Sequence, residues 1–226
     1  MDADTAAGKI AERMRGHRAK MEQRKASARY IHTRGYFTSD VPAEIGLTDA
    51  DACDEPLVAA LGRFFKREGA GSVVDLGCGG GLYTRRLNEL GVNTSGFDGN
   101  PHTKEITRGL CDVLDLSEPH TFPTQYDWVL SLEVGEHLPV EYEDVFIGNL
   151  HRNNAAGIVL SWAVVGQGGD GHVNERNNDY IRDKVCALGY ESVPEAEKEL
   201  RGAARVWWFR NTVMVFRRRA PAQPAG

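Results

Sequence analysis

No stretch of this 226-residue chain approaches the ~20 consecutive apolar residues needed to cross a bilayer, so no membrane span is expected. The start, Met1-Asp-Ala-Asp, lacks the basic and then apolar pattern of a secretory leader. Only four cysteines occur (Cys53, Cys78, Cys111, Cys186), none in C-x-x-C spacing, which argues against a ribbon-type zinc site and a disulfide framework. Internal repeats and low-complexity blocks are missing too. These gaps leave a reduced, cytoplasmic protein with one well-packed domain and terminal additions. Its oligomeric state is left open.

Positive charge is scarce outside one segment. Residues 1–30 hold eight Lys/Arg against four Asp/Glu, and the net charge of the whole chain is −5, leaving −9 on the remainder. An acidic body argues against a long polynucleotide partner, because phosphate contacts need a basic surface. The basic arm keeps nucleic acid or an anionic lipid surface open, with a solvated helix as the plainer reading.

Strands then alternate with helices, which predicts an α/β doubly wound, mostly parallel seven-stranded sheet with the last strand antiparallel. Three regions are expected: an N-terminal helical arm and cap over 1–50, the sheet domain over 51–219, and a loose Pro/Ala tail over 220–226. An amphipathic helix is read over 51–69, begun by Asp51 or Asp54. Strands are read at 72–76, 93–98, 110–113, 126–131, 157–163 and 190–193, with a last strand in 205–217. Helices are read at 82–90, 101–109, 142–153 and 178–188. Trp162, Trp207 and Trp208 are expected in the core, and Cys78 as a small space-filling residue.

Ser72-Val-Val-Asp75-Leu-Gly77-Cys-Gly79-Gly-Gly81-Leu82 reads as a buried strand entering a glycine-rich turn. A dinucleotide fingerprint needs a third glycine where Leu82 stands, so that pattern fails. The remaining Asp-x-Gly-x-Gly-x-Gly resembles motif I of class I methyltransferases that use S-adenosylmethionine. The resemblance extends over about residues 55–217. It implies that Gly77, Gly79 and Gly81 pass beneath the methionine part of the cofactor and that Asp75 helps to receive its ammonium. Asp98, 19 residues after Gly79, stands where a carboxylate accepts from both ribose hydroxyls. Asn100, just before Pro101, is the expected helix cap. Asp112 and Val113 match the family's adenine-contacting positions, with Asp115 as the alternative. Ser131, at the end of the fourth strand, joins this cofactor set.

The segment Ser131-Leu-Glu133-Val-Gly135-Glu136-His137 looks like the E-V-x-E-H segment of ubiquinone-pathway O-methyltransferases and of small-RNA 2′-O-methyltransferases. That likeness implies catalytic roles for Glu133, Glu136, His137 and, from the loop after the fifth strand, His172. It also implies a divalent metal (Mg, Mn, Fe or Zn) on the same four residues, which mixed O/N donors can hold. His137 as a metal-free base or orienter is the competing reading, and a structural histidine the bland one. Gly135 departs from a usually bulky position. Tyr36, Phe37, Gln167 and Asn174 are candidate substrate contacts, and the glycine-dense loop 166–174 is either a lid or a surface connection. The leading expectation is methyl transfer to a small polar metabolite, at oxygen first and nitrogen next. RNA-end 2′-O-methylation is the second enzyme reading. A cofactor-binding partner or regulatory protein without catalysis is the reading from another class.

Overall fold

The computed structural model describes residues 31–38 and 53–219. The basic arm over 1–30, the start at Asp51, and the tail over 220–226 lie outside the described residues. Among the described residues, no helix is long and apolar enough to cross a membrane.

Helix α1 (Glu55–Arg67) is capped by Asp54, whose side chain accepts from Leu57 N at 3.1 Å. The same carboxylate accepts from Arg205 N and Val206 N, both at 2.7 Å, tying the helix start to a distant segment. Strands β1 (Val73–Leu76), β2 (Thr94–Asp98), β3 (Cys111–Val113), β4 (Tyr126–Leu132) and β5 (Asn154–Ser161) run parallel. The final strand β7 (Met214–Arg218) is antiparallel to both β5 and β6 (Tyr190–Ser192). The sheet order is β3-β2-β1-β4-β5-β7-β6, so the predicted seven-stranded architecture is present.

Alternation along the strands builds two cores, because successive side chains point to opposite faces. Val73, Leu130, Val159 and Val215 pack with α1 on one face, where Trp128 meets Phe64 edge-on with centroids 5.0 Å apart. Val74, Val129, Ile158 and Phe216 face the other layer, with α4 (Glu143–Arg152) and α5 (Asn178–Ala187). Between β1 and β4 the strand order reverses. The carboxyl ends diverge there, and such sheets place their ligands at that point.

Four local expectations need correction. The last strand, expected within 205–217, is confined to β7. A helix α6 (Pro194–Ala203), the loop 204–208 and a short helix α7 (Phe209–Thr212) precede β7. Pro194 at the first turn and the acids Glu195 and Glu197 favour that helix start, and Ala196 and Leu200 bury its inner face. Strand β5 begins at Asn154, earlier than expected, because Asn154 Nδ2 is anchored to Leu150 O at 2.7 Å and the Tyr190 hydroxyl at 2.8 Å. After β2 the chain forms only a brief helix α3 (Thr103–Ile106). Asn100 Oδ1 accepts from His102 N at 2.9 Å, so Asn100 closes the turn while His102 holds the cap position.

Candidate functional site

The turn after β1 and the helix α2 that follows it (Leu82–Glu89) form the floor of a cavity of about 650 Å³. Gly77 has φ +84°, and a Cβ there would come within 2.4 Å of the Val134 side chain. Gly79 N donates to Asp98 Oδ2 at 2.9 Å, while Asp98 Oδ1 accepts from Asn100 N at 2.9 Å. Asp98 is partly open to the cavity, yet desolvation holds its carboxyl above the usual range against these two bonds. Asp75 is buried and accepts from the Thr84 hydroxyl at 2.8 Å. Burial pushes its pKa up to about 7; the Thr84 bond opposes this and the Asp98 charge adds to it.

Other members of the expected cofactor set lie elsewhere. Asp112 is exposed and pairs with Lys104 at 2.6 Å, and Val113 is exposed on the same three-residue edge strand; neither lines the cavity. Asp115, Leu116 and Ser117 do. Asp115 Oδ1 is held by Ser117 N and its hydroxyl, at 2.9 and 2.7 Å, and Oδ2 by Arg34 Nη1 at 2.9 Å. Ser131 is fully buried and donates to Leu76 O at 2.6 Å, bracing β1 against β4 at the switch point.

Residues 31–38 cross the cavity mouth as a turn closed by an Ile31–Phe37 bridge. Tyr36 stacks on His32 with centroids 4.5 Å apart and covers Gly99, where a Cβ would meet its ring atoms at 2.7 Å. Phe37 meets His137 edge-on at 5.6 Å. The segment therefore touches both the Asp115 end and the His137 end.

Glu133 follows β4 with φ +54°, a left-handed conformation that costs a non-glycine residue roughly 1–3 kcal/mol. Its amide is held by Ser161 Oγ at 2.8 Å, and its carboxylate accepts from Gln167 Nε2 at 2.8 Å and the Thr212 hydroxyl at 3.3 Å. Gln167 thus reaches the site through Glu133. Gly135 starts a 3₁₀ turn (Gly135–His137) and lies against the Trp162 ring, where a Cβ would sit 2.1 Å away. A bulky residue has no room there.

That turn brings Glu136, His137 and His172 together, with donor atoms within 4.8 Å of one another. Glu136 is fully buried, and neither of its carboxylate oxygens has a hydrogen-bond partner; His137 Nδ1 is also unpartnered. Burial, then the Glu133 charge, drives the Glu136 carboxyl well above its usual pKa. The backbone amides of Glu136 and Ala163 oppose that shift, yet no hydrogen bond closes on either oxygen. Desolvation and the neighbouring His172 push His137 down to about 4 against the backbone of Gly171, so its imidazole is neutral at physiological pH. Glu133, expected as a fourth ligand, stands outside this trio and lines the cavity beside His137. Unpaired buried acceptors are rare in folded proteins. One carboxylate with two imidazoles is a donor set suited to Mn, Fe or Zn more than to Mg.

The loop carrying His172 is pinned rather than loose. Glu136 O accepts from Val173 N and Asn174 N, both at 2.9 Å. Asn174 is buried, donates to Glu143 Oε2 at 3.1 Å, accepts from Trp162 Nε1 at 2.7 Å, and does not line the cavity. Its amide is committed to the scaffold instead of to a substrate. Trp162 is core, as expected, but Trp207 is 55% exposed and Trp208 is half-buried on the cavity wall. Trp208, Phe209 and Tyr83 make an aromatic wall, with successive centroids 5.9 and 6.4 Å apart. The reading of the residues in order missed Thr212 and this wall, since nothing local links residue 212 to residue 133.

Residues 50–157 match a family model described as a methyltransferase domain. No curated protein matches the sequence. Among solved structures, magnesium protoporphyrin IX methyltransferase (ChlM) from Synechocystis PCC 6803 with bound SAH is 18% identical, with a TM-score of 0.56 over 76% of this chain and 86% of that one. A TehB-like SAM-dependent methyltransferase from Corynebacterium glutamicum is 19% identical, with a TM-score of 0.51 over 71% and 88%. The glycopeptide N-methyltransferase MtfA complexed with S-adenosylmethionine is 12% identical, with a TM-score of 0.52 over 72% and 87%.

Proposed function

We infer that this chain, an S-adenosylmethionine-dependent methyltransferase of the Rossmann-like fold, methylates an oxygen of a small acceptor that is polar at its reacting end. The observation that carries the reading is the convergence, in one cavity, of the Asp75–Asp98 floor with Glu133 and His137. The residues fit the cofactor: a turn without Cβ atoms for close approach, and two carboxylates for its ammonium and ribose.

When bound, the cofactor supplies a methyl carbon activated by its sulfonium. Asp98 fixes the sugar, Asp75 receives the ammonium, and Asp115 with Ser117 bounds the adenine end. Tyr36 and Phe37 exclude water from above. Orientation supplies much of the rate in a displacement of this kind. With the cofactor bound, the methyl group would pass to the acceptor oxygen and the carbon–sulfur electron pair would stay on sulfur; Glu133 is the group placed to take the acceptor proton. His137, neutral and weakly basic, orients the acceptor. The aromatic wall of Tyr83, Trp208 and Phe209 takes the apolar body of the acceptor.

Glu136, His137 and His172 would hold a divalent cation, which when bound supplies a Lewis acid beside the acceptor oxygen. The orphaned oxygens of Glu136 support that reading.

Titration calorimetry with S-adenosylhomocysteine, with and without Mn²⁺, tests the proposal, followed by label transfer from tritiated cofactor to hydroxylated acceptors. Binding and transfer are the expected results. Absence of binding in both buffers would remove the enzyme reading, and binding without transfer to any acceptor would favour a cofactor-binding partner protein.

A further inference from the structure

Glu175 was not singled out by any motif, yet its carboxylate has three hydrogen-bond partners. Gly166 N donates to Oε2 at 2.7 Å, Gly168 N donates to Oε1 at 2.6 Å, and His172 Nδ1 lies 3.1 Å from Oε1. With both oxygens already accepting from backbone N–H groups, Glu175 is an acceptor on this side, so the His172 nitrogen facing it carries the proton. That leaves the other ring nitrogen, Nε2, bare. Nε2 is 3.9 Å from Glu136 Oε1, on the side of the unpartnered carboxylate. The ring is wedged as well: a Cβ on Gly169 would sit 2.1 Å from Nε2. The His137 ring closes the remaining side, at 4.9 Å and nearly perpendicular.

We propose that Glu175 is the positioning residue of this site: it sets the His172 tautomer and aims the Nε2 lone pair at the point between Glu136 and His137. A carboxylate behind a ligating imidazole fixes the ring and raises its basicity. The same side chain clamps the two glycine amides, so the loop and the ring are positioned by one group. The cation role rests on the reading of the Glu136–His137–His172 trio given above; the tautomer does not.

Two measurements separate the two. Long-range ¹H–¹⁵N spectra of the histidine-labelled apoprotein should show His172 as the Nδ1–H tautomer, and Glu175→Ala should shift it toward Nε2–H. An Nε2–H tautomer in the unaltered protein, or no shift in Glu175→Ala, overturns the proposal whatever the metal does. Mn²⁺ titration should give an affinity about 10- to 100-fold weaker in Glu175→Ala, mostly restored in Glu175→Gln, whose amide oxygen still accepts from Nδ1–H. S-adenosylhomocysteine affinity should be unchanged in both variants. Equal Mn²⁺ affinity in Glu175→Ala and the unaltered protein also overturns the proposal. No Mn²⁺ binding to the unaltered protein, with the expected tautomer and shift, supports Glu175 as the positioning residue and removes only the cation reading. Should Glu175→Ala fail to fold, Gly169→Ala provides the second variant: it should displace the ring and weaken Mn²⁺ binding to a similar degree, and no effect would count against an aimed Nε2.

Discussion

The two ends of the cavity are built on opposite electrostatic plans. At the floor, every carboxylate already has partners: Asp75 has Thr84, Asp98 has Gly79 and Asn100, and Asp115 has Ser117 and Arg34. At the far end, Glu133 sits in a left-handed backbone, and behind that wall Glu136 has two bare oxygens in a fully buried position. The floor is stable as it stands and offers a finished surface to the cofactor. The far end holds unsatisfied groups together at a cost that a cation or acceptor would relieve. Strain and orphaned polar atoms concentrate at sites that await a ligand.

The sharpest way to break this comparison is to remove a satisfied group. Asp98→Ala should lower S-adenosylhomocysteine affinity by about 100-fold or more, since two charge-assisted hydrogen bonds at ~1.5–3 kcal/mol each are lost. The variant should also be less stable, because Gly79 N and Asn100 N lose their acceptor. Calorimetry showing unchanged affinity would move the ribose contact off Asp98.

The same division explains what could be read from the residues in order. The floor is local: Asp75 to Gly81 is one turn, and Asp98 lies at the end of the adjacent strand, so spacing alone located both. Even there, the segment after the third strand was legible only as Asp112 with Asp115 as the alternative; which of them reaches the cavity depends on how short the edge strand β3 is. Glu136 and His137 were legible from one short segment. Their separation from Glu133 was not, because it follows from the Gly135 turn against Trp162. Thr212 and the aromatic wall were hidden because the last strand was bounded only loosely, within 205–217, where hydrophobic residues match a strand about as well as a short helix and loop.

Removing an unsatisfied group should act in the opposite direction. Glu136→Leu should raise the stability of the apoprotein by about 1–3 kcal/mol, as replacing a buried unpaired polar group relieves its desolvation. At roughly 2–4 °C per kcal/mol for a chain of this size, the melting temperature should rise by several degrees. Mn²⁺ binding should vanish. A thermal melt showing a fall of similar size would mean that Glu136 is already satisfied in the protein, and the contrast between the two ends would collapse.

The smallest effect tests the floor itself, through protons. Asp75 carries a pKa of about 7 in the folded protein against 3.8 in the open chain. For the apoprotein this raised value makes a stabilising contribution that is full below pH ~4, declines as pH rises, and is gone above about 7. Binding has the opposite sign. If Asp75 receives the cofactor ammonium as a carboxylate, binding releases its proton, so affinity should climb with pH and level off above about 7. Between pH 5.5 and 7 the gain in S-adenosylhomocysteine affinity should be about tenfold, and calorimetry in two buffers of different ionisation heat should show proton release. Asp75→Asn should flatten most of that rise. A slope that survives the substitution would assign the proton to Asp98, whose carboxyl is also held above its usual range. It would make Asp75 a brace for Thr84 and leave the ammonium to the backbone of the glycine turn.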